Sequence, residues 1–346
     1  MPILDKNNIE QVNRYNAFVR SSPYRSMMQD INWKDVKSGW GDVQVYLEKN
    51  NEIVAAVSLL TRKIPGGFSM LYAPRGPVCD FNDLSLVEGL IKEVDQVAKK
   101  HKAFLLKMDP EVTYTDELDK KYREAGFKVK NKMAHKEELI QPRYNMIVGF
   151  DDCDAETIMS KFSSKYRNII KSATKKGVFT TWSRSDEYLK RFFEIYETMA
   201  TRNKITMRNY DYFVKMRDSF DNLRVYIACH EEDDLAGAIT INYHGKLYYL
   251  YAGSTNVKRN MNPNHLMNYD MIKWGIEEGG TQYDLGGVFE LNENDGLFLF
   301  KKGFCHQDGV TEYIGEVDKV YNSFLYMLYE KVIPKVQKLK KKLFKR

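Results

Sequence analysis

Two adjacent pairs, Cys229-His230 and Cys305-His306, are by residue type the nearest the chain comes to a nucleophile beside its base. Successive residues on a strand point to opposite faces, so neither pair is expected to act as a unit. The chain has no GxSxG elbow, no HExxH and no P-loop, which leaves hydrolytic and nucleotide-hydrolysing readings without support. The four cysteines, Cys79, Cys153, Cys229 and Cys305, form no CxxC pair, so no structural zinc, no disulfide framework and no metal is expected. Backbone and positive charge remain. Leu285-Gly286-Gly287 could present bare backbone to a ligand, or simply turn the end of a strand. Lys161–Lys176 is dense in basic residues, and the tail Lys331–Arg346 (KVIPKVQKLKKKLFKR) is half basic with no acidic residue. Such patches suit phosphate-bearing partners or an anionic membrane face. A solvated helix face and a solubilising tail would read the same way.

The elements that must hold these residues come in two similar sets. The first runs VQVYLEKNNEIVAAVSLL, FSMLYAPRGP, DLSLVEGLIKEVDQVAKK and AFLLKMDP; the second runs LRVYIACHEEDDLAGAITINY, KLYYLYAGST, NHLMNYDMIKWGIEEG and QYDLGGVF. Tyr46 answers Tyr226, Tyr72 answers Tyr251 and Phe104 answers Tyr283, at offsets of 180, 179 and 179. A near-constant offset across three strands predicts a duplicated domain. Each set reads as a hairpin with a charged turn (Glu48–Glu52, Glu231–Asp234), a third strand, a helix and a fourth strand. That is the order of acetyltransferase-like α/β folds, although order alone leaves other mixed sheets open.

Between the sets, Asp154 is expected to cap one helix running to Lys176 and closed by Gly177, with Ile158, Phe162, Tyr166, Ile169 and Ala173 as its apolar stripe. A second helix, Asp186–Asn203, should bury Leu189, Phe192, Phe193, Tyr196 and Met199. Asn264 is the expected cap of the helix that Gly279-Gly280 stops. A helix from Tyr321 is expected to return to the first domain. These readings give an α/β chain of mixed sheets in two tandem acetyltransferase-like (GNAT-type) domains, residues 1–148 plus 317–346 and residues 149–316.

A length of 346 residues suits two domains, and 43% apolar residues suffice for their cores. The start, MPILDKNNIE, is not a secretory signal, and no stretch nears the roughly 18 apolar residues of a membrane span. A soluble cytoplasmic protein with reduced thiols is expected. Coenzyme A would require a Gly-rich turn at a helix N-terminus to cradle its pyrophosphate. The corresponding turns, NVKRNMNPNHL and PRGPVCDFND, lack that spacing, so the expected donor is not an acyl-CoA.

In SSPYRSMMQDINWKDVK, MDPEVTYTDEL, IQPRYNMIVGF, SSKYRNIIKSATKKG, ITMRNYDYF, LYYLYAGST, YDLGGVFE, FLFKKGF and YIGEVDKV, in that order, the chain resembles the Fem (FemABX) family. Its members are the non-ribosomal peptidyltransferases that build peptidoglycan interpeptide bridges from aminoacyl-tRNA. The likeness covers nearly the whole length and implies two acetyltransferase-like domains without coenzyme A or any other cofactor. Between Gly177 and Ser185 there is no long heptad insertion, so the coiled-coil arm of the longer members is absent. The chain is therefore most similar to the short, arm-less members acting on UDP-MurNAc-pentapeptide, in preference to lipid II, and is expected to be monomeric. The basic tail leaves room for peripheral contact with the inner membrane face.

The resemblance implies that Lys37 and Arg208 grip the nucleotide diphosphate, a point charge and a planar fork clamping two phosphates. It places Tyr212, Tyr249 and Tyr251 along the same acceptor groove; two apart on a strand, Tyr249 and Tyr251 should share a face. It implies that Phe300 and Lys301 stand at the acyl-transfer centre, Lys301 as an ammonium facing the oxyanion and Phe300 packing on the terminal adenosine or the ester. Asp109 and Glu316 are candidate bases. Lys161, Lys165, Lys171, Lys175 and Lys302 are candidate contacts to the tRNA backbone. Two other classes stay open: a tRNA-binding module without catalysis, and a coenzyme A-dependent N-acetyltransferase. Which amino acid is transferred does not follow from the sequence, because Gly, Ala and Ser differ too little in volume.

Overall fold

A computed structural model describes residues 3–131, 139–151 and 153–332. In chain order the elements are α1 (Ile9–Ser21), α2 (Trp33–Val36), β1 (Gly41–Lys49), β2 (Glu52–Lys63), β3 (Ser69–Ala73), α3 (Leu84–Lys100), β4 (Ala103–Met108), α4 (Asp116–Glu124) and β5 (Lys128–Lys130). There follow β6 (Tyr144–Gly149), α5 (Ser164–Lys175), β7 (Phe179–Ser183), α6 (Asp186–Asn203), α7 (Tyr210–Ser219), β8 (Leu223–His230), β9 (Asp233–Tyr243), β10 (Lys246–Ser254), α8 (Pro263–Glu277), β11 (Gln282–Val288) and α9 (Gly296–Phe304). The chain ends with β12 (Thr311–Glu312), β13 (Glu316–Val320) and α10 (Ser323–Met327), the last running into a π-helical turn, Leu328–Val332. From residue 333 on, the basic tail expected to meet an anionic surface lies outside the described residues.

The chain divides into two compact units, Met1–Arg143 with Glu312–Arg346, and Tyr144–Thr311. The first holds a mixed sheet in the order β1-β2-β3-β4-β13-β5. Its hairpin turns on Asn50 and Asn51, both at positive φ, the conformation that matches the twist of the flanking strands. Asp83 caps α3 by accepting from the Leu86 amide. The helix buries Val87, Leu90, Ile91 and Val94 against Val45, Val57, Leu71 and Leu106 of the sheet. The returning C-terminal segment docks here as expected: Tyr326 donates to Asp318, and the Tyr329 ring meets Phe104 at 5.8 Å.

The second unit carries a sheet in the order β12-β6-β11-β10-β9-β8-β7. β8, β10 and β11 repeat the places of β1, β3 and β4, the strands that carry the three matched aromatics. One face packs α5, α8 and α9 through Tyr166, Ile170, Met267, Met271, Phe298 and Phe304. The other carries α6, where Ile195 and Phe192 press on Gly237 of β9. Both units are thus mixed α/β sheets of acetyltransferase-like order, and β7 follows α5 directly with no coiled-coil arm.

Three local expectations give way to structure. The helix expected from Asp154 to Lys176 is broken: a 3₁₀ turn, Thr157–Lys161, ends at extended Phe162, and Ser163 starts α5 afresh by accepting from the Tyr166 amide. A serine at that point offers the backbone a cap, which competes with continuing the helix. Ile170 joins the buried core, with half-buried Ile169 packed against it. Helix α8 begins at Pro263, after Asn262 in the left-handed region, so Asn264 is not its cap; proline at the first helical position sets the start instead. Strand β6, read from sequence as the end of the first domain, pairs antiparallel with β11 in the second sheet.

Candidate active site

Arg208 lies in the stretch between α6 and α7, where Asn209 caps α7 by accepting from the Tyr212 amide. The exposed guanidinium stacks over the Tyr212 ring at 5.1 Å. Tyr251 of β10 donates its hydroxyl to that of Tyr212 at 3.1 Å, and its ring packs edge-on against Phe213 and Tyr196. Burial, with the neighbouring Tyr251, holds the Tyr212 phenol well above its ordinary range, so it works as a neutral hydrogen-bonding group. A cation above aromatic rings with phenolic hydroxyls is a surface for a phosphate and an adjoining flat or sugar group.

Tyr249 does not belong to this cluster. The β9–β10 register slips between Tyr249, opposite Thr240, and Tyr251, opposite Ile239, leaving Leu250 as one extra residue. A bulge of one residue reverses the alternation of side chains beyond it. Tyr251 therefore faces α6 and α7, while Tyr249 packs into the core beneath α8, 6.2 Å from the Tyr283 ring. The expectation of a shared face is overturned by that insertion.

On the α8–α9 side, Phe300 sits in an aromatic group with His265 at 5.2 Å, Phe304 at 5.4 Å and Tyr166 at 6.3 Å. Phe300 and His265, with Arg259, Thr255 and Asn264, line a cavity of about 160 Å³ at the start of α8. Burial and the nearby Lys165 push the His265 imidazole down to about 4, so it is neutral at physiological pH.

Lys301 follows Phe300 on α9. Its side chain is 6% exposed, and Nζ donates to the Gly287 carbonyl at 3.0 Å. Gly286 has φ +79°, and a Cβ there would lie 3.4 Å from Lys301 Nζ and 3.8 Å from the Tyr249 carbonyl, so a turn that only glycine adopts easily brings bare backbone to the ammonium. The turn exists because β10 and β11 pair in parallel through Lys246–Tyr248 and Gln282–Asp284, while β11 breaks register against β6 between Asp284 and Gly287. Burial lowers the Lys301 ammonium to about 8; the Asp284 carboxylate opposes that shift. Asp284 is itself buried, accepts from Asn145 at 2.9 and 3.2 Å and from the Gly286 amide at 2.7 Å.

The remaining sequence candidates are placed as follows. Lys37 belongs to the first unit, at the end of α2, with Nζ 5.0 Å from the Trp33 ring centre. Asp109 and Glu316 are also in the first unit, and both are buried and engaged. Asp109 accepts from the Tyr72 hydroxyl at 2.7 Å and the Arg75 amide at 2.5 Å, and burial raises it to about 7. Glu316 accepts from Lys107 and from the Ile140 amide, and Lys107 also bridges to Asp318 at 2.9 Å. Burial disfavours the Lys107 charge, but Asp318 and Glu316 outweigh it and raise its pKa. A carboxylate enclosed in such a triad is a structural counter-ion. Of the lysines assigned to tRNA, Lys165, Lys171 and Lys175 are exposed on α5. Lys161 instead lies in the 3₁₀ turn, bound to the Gly149 carbonyl and Asp308, and Lys302 pairs with Glu293 at 2.5 Å. Asp284 and Asn145 were missed. Asp284 stands two residues before a Gly-Gly pair, which is a legible turn signal; Asn145 reaches it only through the long-range β6–β11 pairing.

Among the described residues no helix is long and apolar enough to cross a membrane. The FemAB family model matches residues 11–233 and 222–333. The chain is 36% identical to the UDP-N-acetylmuramoylpentapeptide-lysine N(6)-alanyltransferase of Weissella viridescens over 333 residues, 94% of this chain and 98% of the relative. It is 29% identical to the lipid II:glycine glycyltransferase of Staphylococcus haemolyticus, over 98% of each. That second alignment spans 418 positions, more than this whole chain, so the glycyltransferase carries inserted residues. The crystal structure of FemX superposes with a TM-score of 0.83 at 26% identity, covering 96% of this chain and all of that one. With the family model along most of its length, a relative this similar and the fold in common, the chain belongs to the FemAB family.

Proposed function

We propose that this enzyme moves an amino acid from aminoacyl-tRNA to the stem-peptide amine of UDP-MurNAc-pentapeptide, in the synthesis of a peptidoglycan interpeptide bridge. The observation that carries the reading is the buried Lys301 ammonium held on the Gly287 carbonyl of the glycine turn, next in sequence to Phe300, which lines the cavity at the start of α8. The arm-less connection from α5 to α6 and the near end-to-end alignment with the alanyltransferase favour the nucleotide-linked acceptor over lipid II.

In this reading the precursor's diphosphate meets Arg208, with Tyr212 and Tyr251 donating to the adjoining groups. The 3′ end of the donor packs on Phe300, with its phosphates reached by Lys165, Lys171 and Lys175. No cofactor is required, because the ester is already activated. The neutral stem-peptide amine attacks the ester carbonyl, and a C–N bond forms while charge gathers on the carbonyl oxygen. Lys301 faces that oxygen with a fixed positive charge in a site shielded from water, where such a charge is worth most. Collapse breaks the ester C–O bond; the proton lost by nitrogen ends, in balance, on the released ribose hydroxyl. Lys37 is assigned to phosphate binding as well, and Lys37→Ala tests that separately.

The test is transfer of labelled amino acid from a panel of charged tRNAs to UDP-MurNAc-pentapeptide, with lipid II and acetyl-CoA as parallel arms. Labelled product with the nucleotide precursor supports the reading. Product only with lipid II moves the acceptor to the lipid-linked form. Acetylation by acetyl-CoA, or no transfer from any charged tRNA, rejects it.

A further inference from the structure

Asp284 is a carboxylate buried in a sheet, two residues before the turn that faces Lys301. Such a group is costly unless its hydrogen bonds are made, and the bonds it makes are specific. Asn145 of β6 donates to both of its oxygens, at 3.2 and 2.9 Å. The Gly286 amide donates to Oδ1 at 2.7 Å, an Asx-type turn that fixes Gly286 at φ +79°. The carbonyl of the next residue, Gly287, receives Lys301 Nζ. A continuous chain of contacts thus runs from Asn145 through Asp284 and the glycine turn to the ammonium.

We propose that Asp284, oriented by Asn145, is a positioning residue for acyl transfer, which sets through the Gly286–Gly287 turn where the Lys301 ammonium stands and supplies its counter-charge. The proposal rests on the assignment of Lys301 to the oxyanion made above. Two functions are joined in one carboxylate. The hydrogen bond to Gly286 shapes the backbone that Lys301 grips. The negative charge opposes the desolvation that would otherwise strip Lys301 of its proton. The other groups acting on Lys301 are Cys305 and Asp295 of its own helix segment, both weaker than Asp284. On α5, the Tyr166 hydroxyl is engaged with the Leu299 carbonyl, and on β6, Asn145 is neutral.

The two functions separate by substitution. Asp284→Asn keeps an oxygen for the Gly286 amide but removes the charge; Asp284→Ala removes both. Full-length variants are compared with wild type in the transfer assay, with kcat followed across pH 6 to 9. Asp284→Asn is expected to make Lys301 lose its proton about one pH unit earlier, so the ratio of its kcat to the wild-type kcat at the same pH, from which titration of the attacking amine cancels, should fall as pH rises. That ratio should be within about twofold of one near pH 6.5 and about one-fifth at pH 8, with acceptor KM within about twofold. Asp284→Ala should lose about 100-fold at every pH. Asn145→Ala, which keeps the carboxylate in place of the full network, covers the case in which neither variant folds, and should lower kcat without altering acceptor KM. A ratio of Asp284→Asn to wild-type kcat that is the same at pH 6.5 and pH 8, or Asn145→Ala with wild-type kcat, overturns the proposal. Lys301→Ala in the same assay distinguishes the two layers. Full activity there rejects the oxyanion assignment itself, whereas loss there with an unshifted Asp284→Asn rejects only the positioning role.

Discussion

Lys301 is the residue to which the proposed mechanism assigns the oxyanion, and its environment fixes what to expect of it. Burial brings its pKa to about 8, so the fraction present as ammonium declines as pH rises through that value. The attacking amine gains its neutral form in the opposite direction. The wild-type kcat is therefore expected to rise less steeply with pH above about 8 than below it, measured in the transfer assay with saturating donor. Lys301→Ala should cost about 10²–10³ in kcat, the typical loss of one oxyanion donor. Arg208 has a different part in the proposed mechanism, where an exposed guanidinium over Tyr212 meets a part of the precursor remote from the reacting atoms. Arg208→Ala should raise the acceptor KM about tenfold or more with little change in kcat, the signature of lost uniform binding. An equal loss in both parameters would assign Arg208 to the transition state instead.

At the scale of elements, α9 owes its place to a close approach. A Cβ on Gly303 would come within 2.3 Å of the Tyr166 ring, and the Gly303 carbonyl accepts from the Ser163 amide at 2.9 Å where α5 begins. Tyr166 cannot retreat easily, because its ring is held by His265 and Phe304 and its hydroxyl by Leu299. Gly303→Ala is expected to destabilise the enzyme by about 1–3 kcal/mol, seen as a lower thermal midpoint. It should also lower kcat, since Phe300 and Lys301 ride on the displaced helix. Much at this scale was legible in sequence. Helix α6 runs Asp186–Asn203 as its apolar stripe indicates, and the two hairpins fall at their charged turns. What was illegible depends on pairing or on a single residue: the Ser163 cap that divides a continuous apolar stripe, the sheet to which β6 belongs, and the Leu250 insertion that parts Tyr249 from Tyr251. Periodicity cannot register an insertion whose partner strand lies elsewhere in the chain.

For the whole molecule, under the proposed function, the net charge of +6 and the exposed lysines of α5 bear on the tRNA donor rather than on the acceptor. A polyanionic donor held by several lysines is bound partly by release of its counter-ions, so its affinity falls steeply with salt. Raising salt from 50 to 200 mM should increase the KM for charged tRNA by more than tenfold. The KM for the precursor, whose diphosphate presents far fewer charges, should change several-fold less. Parallel dependence on salt for both substrates would remove α5 from the donor's path. The family, the duplicated sheets and the transferase chemistry were all within reach of the sequence, because they follow from ordered motifs and a constant repeat offset. The Asp284–Asn145 support was not, because it is created only when β6 crosses into the second sheet.

The single inserted leucine in β10 also determines how the strand would answer to its own removal. Excising Leu250 would close the ladder from Tyr249 straight to Tyr251 and leave each ring on the face it now holds.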